Sequence, residues 1–343
     1  MHIVCIFTIF LNFCLCAYVA RGFDINPIFR HWNCIGIAEK IDFSKPYKFN
    51  VGDLPLVGWK NPITNRVSSA INICKHMGSR LDNGVITDTG CLKCQYHGLE
   101  NSEAEDGFGE TVEHEGKLFW AYKPLEKTPP RLPFFSNTQF AKSFLEFDMD
   151  CSFTDSAFNT MDLYHPEYVH GGAFGFGNSI PPKNVKHYKY SDKKIGLAFD
   201  YDSKPNIQFI NSKSKWTNNF HMFLYPSFSW SKVTFGKTNH LVIGVNLLPV
   251  GPQKTKWFVT IANNYFTNPA QNEFMKLLAT AILTQDSAQM KNQHNDDELK
   301  RRIIFQHVFK NEESIMNLRE MFGSYRYPDI SSCLALYSDN MHP

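Results

Sequence analysis

Cys74-x-His76 is followed, after 17 residues, by Cys94-x-x-His97, and a chain that must bring these four side chains to one centre can fold in few ways. Each loop has to turn back tightly so that its Cys and His point together. Gly78 and Gly98 stand where such turns need backbone angles that other residues resist. Short apolar runs bounded by turn residues surround the loops: Trp32 to Ile37, Leu54 to Trp59, Ser68 to Ile73 and Lys117 to Tyr122. That spacing predicts a small antiparallel β domain over roughly 27–125. Mixed ligation is meaningful, because two thiolates can hold one iron while two neutral imidazoles hold its partner in a two-iron cluster. Two Cys and two His also suit a structural zinc, and Cys91-x-x-Cys94 offers a third thiolate. A zinc finger does not ordinarily set Cys-x-His against Cys-x-x-His inside a β domain, however, and a second iron-type motif lies downstream.

That second motif is Asn159-x-x-Asp162-x-x-His165-x4-His170. Asp162 and His165 are three apart and share one face if the segment is helical. Pro166 removes an N–H and disfavours helical geometry at His165, so the helix is expected to kink or end there. The break has a use, since His170 would otherwise point well away from His165. Two histidines and one carboxylate on one face of an octahedron leave positions open for O2 and substrate.

Length and composition bound the rest. The 343 residues suffice for one large domain or two modest ones, and two is the expectation. A formal net charge of +2 with no long basic run leaves no footprint for nucleic acid, and Lys300-Arg301-Arg302 reads as a solvated helix face. Thirty Phe residues make an apolar substrate cavity easy to line. Of the nine cysteines, Cys34, Cys91, Cys151 and Cys333 lack the regular spacing of a disulfide scaffold and read as reduced. Residues 3–20 form an uncharged apolar run within a leader at 1–22. It is expected to act as a membrane anchor or organelle-targeting segment rather than a secretion signal.

At the cluster loops the chain resembles the Rieske non-haem iron oxygenases. Trp32, the strand Leu54 to Trp59, Cys74-x-His76-x-Gly78-x-x-Leu81, Asn83-Gly84 and Cys94-x-x-His97-Gly98 all fall where that family's cluster domain has them. Lys75, Gln95 and Leu99 depart from the commoner Pro, Pro and Trp. The run Asn159 to His170 resembles the iron-site segment of the branch containing vanillate O-demethylase and dicamba monooxygenase. The resemblance implies an α+β chain, with a Rieske domain at 27–125 and a catalytic domain at 135–330. In the latter a curved antiparallel sheet grips a long C-terminal helix, and 331–343 form a tail. Strands are expected near 195–199, 206–210 and 221–226, a hairpin pairs 240–246 with 255–261, and helices are expected near 269–284 and 296–319. Gly171 to Gly177 reads as a loop at the cavity mouth.

By the same resemblance Cys74, His76, Cys94 and His97 hold a [2Fe-2S] cluster, while His165 and His170 hold a mononuclear Fe(II). The family's third ligand comes from a late helix with a Phe-x-Glu-Asp-x-x-hydrophobic pattern. Phe309 to Ile315 fits it, which makes Glu312 the expected ligand and Glu313 the alternative. Asp162 and Asn159 are the expected catalytic residues. Asp162 would bridge His97 of one subunit to His165 of its neighbour in a head-to-tail homotrimer, or else orient His165 within one chain. The implied activity is hydroxylation or oxidative demethylation of an apolar or aromatic small molecule, using O2 and electrons from a separate reductase or ferredoxin. The competing expectation is a Rieske electron carrier fused to a lipid- or pigment-binding domain, which the Glu312 departure encourages.

Overall fold

The computed structural model describes residues 25–170, 182–202, 216–293 and 312–341. In chain order, the N-terminal side carries β1 (Asn33–Ile37), β2 (Tyr47–Val51), β3 (Leu54–Lys60), β4 (Val67–Ile71), β5 (Val85–Ile86), β6 (Leu92–Lys93), β7 (Glu100–Asn101), β8 (Glu110–His114) and β9 (Lys117–Ala121). They form three antiparallel three-stranded sheets, ordered β1-β9-β8, β2-β3-β4 and β5-β6-β7. β1 and β9 are buried along their whole length, which is why they read as continuous apolar runs rather than alternating ones. The first cluster loop follows β4, and the second is the β6–β7 connection.

The second half is a seven-stranded antiparallel sheet built from β10 (Ala141–Met149), β11 (Lys183–Ser191), β12 (Lys194–Asp202), β13 (Trp216–Leu224), β14 (Phe228–Phe235), β15 (Asn239–Gly251) and β16 (Lys254–Asn263). Its order is β10-β16-β15-β14-β13-β12-β11. The six consecutive strands β11 to β16 form five antiparallel pairs in sequence order, and β10, the first in sequence, closes the far edge against β16. The expected hairpin is present, with Gly244 opposite Thr260. Helices α1 (Phe153–Met161), α2 (His165–Val169), α3 (Pro269–Lys291) and α4 (Glu313–Met321) accompany this sheet. The segment expected as a tail is instead helical, as α5 (Ile330–Met341), whose residues Cys333 and Leu336 are buried in the core.

α3 begins at Asn268, whose side chain accepts from the Gln271 N–H, with Pro269 at the start; both are strong start signals. Its buried residues Leu283, Asp286 and Met290 recur at spacings of three and four, so they lie along one face. One apolar cluster runs through both halves, joining Phe29, Leu118 and Trp120 to Leu247, Phe258 and Leu318. Lys117 crosses the same seam fully buried, its Nζ donating to Asn246 Oδ1 at 2.9 Å and Thr260 Oγ1 at 3.0 Å. No helix among the described residues is long and apolar enough to cross a membrane. The apolar segment 3–20, the strand expected at 206–210, the loop Gly171 to Gly177 and most of the helix expected near 296–319 lie outside the described residues.

Candidate metal centres

The two cluster loops have the same backbone construction. Cys74 N–H donates to the Ser79 carbonyl at 2.7 Å and Gly78 N–H to the Cys74 carbonyl at 2.8 Å; Cys94 N–H donates to the Leu99 carbonyl at 2.8 Å and Gly98 N–H to the Cys94 carbonyl at 3.0 Å. Both turns close through glycines in the left-handed region, at φ +74° and +72°, where a side chain would be strained. The thiols are 3% exposed and rest on Val57, Trp59, Leu81 and Leu92. The imidazoles are at the surface, with the His76 and His97 ring centroids 4.7 Å apart. Burial pushes the Cys94 thiol up, but hydrogen bonds from the Tyr96 and His97 backbone and from Cys74 and Ser79 outweigh it and hold the group below its ordinary value. Thiolate-stabilising donors around one buried sulfur suit an iron ligand.

A zinc tetrahedron would bring all four donor atoms within about 4.5 Å of one another. Here the two thiols are buried while the two imidazoles lie at the surface. Thiols on one side and imidazoles on the other are what a two-iron cluster needs. Cys34, Cys151 and Cys333 are buried and in no disulfide, and Cys91 is partly exposed; burial pushes Cys34 up to about 12.

The compact group is His165, His170 and Asp286. α1 is capped at its start by Ser152, which accepts from the Asp155 N–H, and ends at Met161 with Asp162 as its C-cap. Asp162 and His165 therefore do not share a helix face, and Pro166 opens α2 rather than ending a helix. The reason is local. Asp162 Oδ1 accepts from the backbone N–H of Tyr164 at 2.8 Å and of His165 at 3.2 Å, a side-chain turn that competes with helix continuation, and proline's fixed φ suits the first helical turn. The outcome still brings Asp162 Oδ2 to 3.7 Å from His165 Nδ1.

His165 Nε2 and His170 Nε2 converge on Asp286 Oδ1, at 3.5 Å and 3.1 Å. Asp286 is 4% exposed and His170 3%. Asn159 Nδ2 donates to the same carboxylate oxygen at 3.3 Å, and His170 Nδ1 meets Gln285 Oε1 at 2.9 Å. Burial disfavours a charged His170, yet Asp286 and Gln285 outweigh it and hold its pKa above the usual value. For His165 burial prevails over Asp162 and Asp286, and its pKa is lowered. His221 on β13 stands close by, bonded to the Thr160 carbonyl; burial first, then His165, push it down to about 4, so it is neutral at physiological pH. Its neutrality adds no charge beside His165.

Glu312 and Glu313 are outside this group. Glu312 is the N-cap of α4 and Glu313 its first residue, where an acidic pair suits the positive end of the helix dipole. The carboxylate beside the histidines comes from α3, earlier in the chain. In Leu283-Thr284-Gln285-Asp286, Leu replaces the Phe and Gln the Glu of the expected pattern, so letter matching passes over it. A carboxylate in the apolar stripe Leu283-Asp286-Met290 was the signal that could have found it.

Residues 31–119 match the Rieske [2Fe-2S] domain. The chain carries a Rieske domain. It is 24% identical over 276 residues to the chloroplastic pheophorbide a oxygenase of Oryza sativa subsp. japonica, covering 69% of this chain and 49% of that protein. It is 26% identical over 164 residues to the oxygenase component of dicamba O-demethylase from Stenotrophomonas maltophilia, covering 40% and 46%. This Rieske protein thus spans about half the length of those relatives. Its fold matches the structure of dicamba monooxygenase bound to dicamba, with a TM-score of 0.74 at 15% identity over 90% of this chain and 98% of that one. The α+β architecture, a Rieske β domain followed by a seven-stranded antiparallel sheet with helices, is the fold of that protein.

Proposed function

We propose that this Rieske protein is the oxygenase component of a two-centre system that hydroxylates or oxidatively demethylates an apolar or aromatic small molecule. The observation that carries the reading is the meeting of His165, His170 and Asp286 in a chain that also carries a Rieske domain. Cys74 and Cys94 hold one cluster iron, His76 and His97 the other, and His165, His170 and Asp286 hold a mononuclear Fe(II). When bound, the cluster supplies electrons and the ferrous ion, with open positions, supplies O2 activation.

The chain's own residues supply position and environment. Asn159 ties down one oxygen of Asp286, so the carboxylate presents a fixed edge to the histidines. Asp162 holds the first turn of α2 through two backbone N–H groups and faces His165 Nδ1, which favours a proton on that nitrogen and leaves Nε2 for metal. Phe199, packed edge-on against His221 at 5.1 Å, and Phe223 keep the inner face of the sheet apolar, which excludes water and favours an apolar substrate.

Asp162 is one-third exposed, and so are the rings of His76 and His97 at the tip of the Rieske domain exposed. Both surfaces are thereby available for the head-to-tail homotrimer in which Asp162 bridges the two centres. A separate reductase or ferredoxin delivers the electrons. The chloroplastic relative supports an organelle-targeting or anchoring role for residues 3–20.

Reduced protein should consume O2 on addition of a methoxylated aromatic acid or chlorin acceptor panel, with formaldehyde or hydroxylated product formed. Asp162→Ala should keep the cluster and its reduced EPR signal but lose about ten- to a hundredfold in turnover, the range that positioning contacts in a metal site control. Full activity in that variant would sink the bridging role.

A further inference from the structure

One turn of α3 addresses both nitrogens of the same imidazole. Asp286 Oδ1 lies 3.1 Å from His170 Nε2, and the neighbouring residue's Gln285 Oε1 lies 2.9 Å from His170 Nδ1. An amide oxygen can only accept, so Gln285 Oε1 accepts from Nδ1, which leaves Nε2, the nitrogen facing Asp286, as the one that would ligate a metal. The two histidines are therefore backed differently. His165 has a carboxylate behind it, Asp162 at 3.7 Å; His170 has a neutral amide within full hydrogen-bond distance. Gln285 is itself exposed, whereas the ring it holds is buried, so its side chain is not needed to fill the core.

We infer that Gln285 is a positioning residue for the metal centre, orienting the His170 ring so that its Nε2 faces Asp286 and the shared metal position. This rests on the mononuclear iron site proposed above. Two observations carry it: the direct bond, and the shared helix turn that places Gln285 and Asp286 side by side. A second carboxylate at position 285 would place another negative charge next in sequence to Asp286. The amide gives the orientation of an outer hydrogen bond without that charge.

The test uses full-length protein carrying its cluster, freed of mononuclear metal by anaerobic chelation and titrated with Fe(II), with EPR of the nitric oxide adduct as a second readout. Gln285→Leu should weaken Fe(II) binding about ten- to a hundredfold, the usual effect of removing an outer partner of a metal-bound histidine. Its Rieske signal and thermal midpoint should stay unchanged. Gln285→Glu, which restores the acceptor, should recover the affinity but alter the rhombicity of the nitrosyl signal. Binding within twofold of wild type in Gln285→Leu, with the same nitrosyl signal, would overturn the inference; so would failure of Gln285→Glu to recover affinity. Asp286→Ala separates the levels. If it binds Fe(II) as tightly as wild type, the proposed iron site itself fails; if it loses binding while Gln285→Leu does not, only the role of Gln285 fails.

Discussion

Asp286 is a carboxylate on the buried stripe of a helix, and burial of that kind is costly unless the charge is paired. Its partners are His165, His170 and Asn159. Replacing it with Ala should therefore reduce mononuclear iron from about one per chain to near zero, because two imidazoles alone make a weak site, while acid-labile sulfide is unchanged. Glu312→Ala should keep both. Metal analysis of the two variants checks this, and retention of iron in Asp286→Ala with loss in Glu312→Ala would restore the carboxylate to α4. The histidines of this site were legible from their spacing. The carboxylate that stands beside them was not, because an acidic pair at a helix start, which suits the helix dipole, carries the expected letters at Glu312 and Glu313. With Asp286 in contact with both histidines, the Glu312 departure no longer favours an electron carrier without oxygen chemistry.

At the scale of elements, loops were easier to read than helix boundaries. Gly78 and Gly98 announced their positive φ because no other residue serves as well there. Asp162 and Pro166 were read as helix interior and helix end, and they are a cap and a helix start; side-chain turns of this kind leave no periodic trace. The base of the first cluster loop shows the same local chemistry. Asn72 Oδ1 accepts from the Leu81 and Asp82 N–H groups, and Asn72 Nδ2 donates to Asp82 Oδ1 at 2.9 Å. Arg80 forms a two-pronged pair with the Asp82 carboxylate. Chiefly through Arg80, and with Asn72 adding to it against burial, the Asp82 carboxyl is held below its usual range. Its stabilising contribution is complete above about pH 4, the unfolded value, and is lost as pH falls through the lower folded value. Asp82→Asn should lower the thermal midpoint of cluster loss by about 2–4 °C near neutrality, with the gap to wild type closing as pH falls below about 4. A gap that persists unchanged into acid would mean that the carboxylate charge is not what holds the loop.

At the scale of the whole molecule, the order of a small β domain and then a larger sheet was legible, because two differently spaced ligand sets divide the chain. The seam between them was not. Lys117 lies in a strand that reads as ordinary apolar sequence, yet it is buried and bonded to Asn246 and Thr260 across the seam, and one apolar core joins both halves. Contacts between residues more than a hundred positions apart leave no local pattern to read. The joined core holds the Rieske domain in fixed relation to the sheet that positions His165, His170 and Asp286. The most direct test of a two-centre oxygenase is iron and acid-labile sulfide per chain in anaerobically purified protein, with EPR of the reduced cluster and of the nitric oxide adduct. About three irons and two sulfides, a Rieske signal and a high-spin ferrous-nitrosyl signal are predicted. About two irons, with no nitrosyl signal even after reconstitution with Fe(II), would contradict it and leave His165, His170 and Asp286 without a metal to hold.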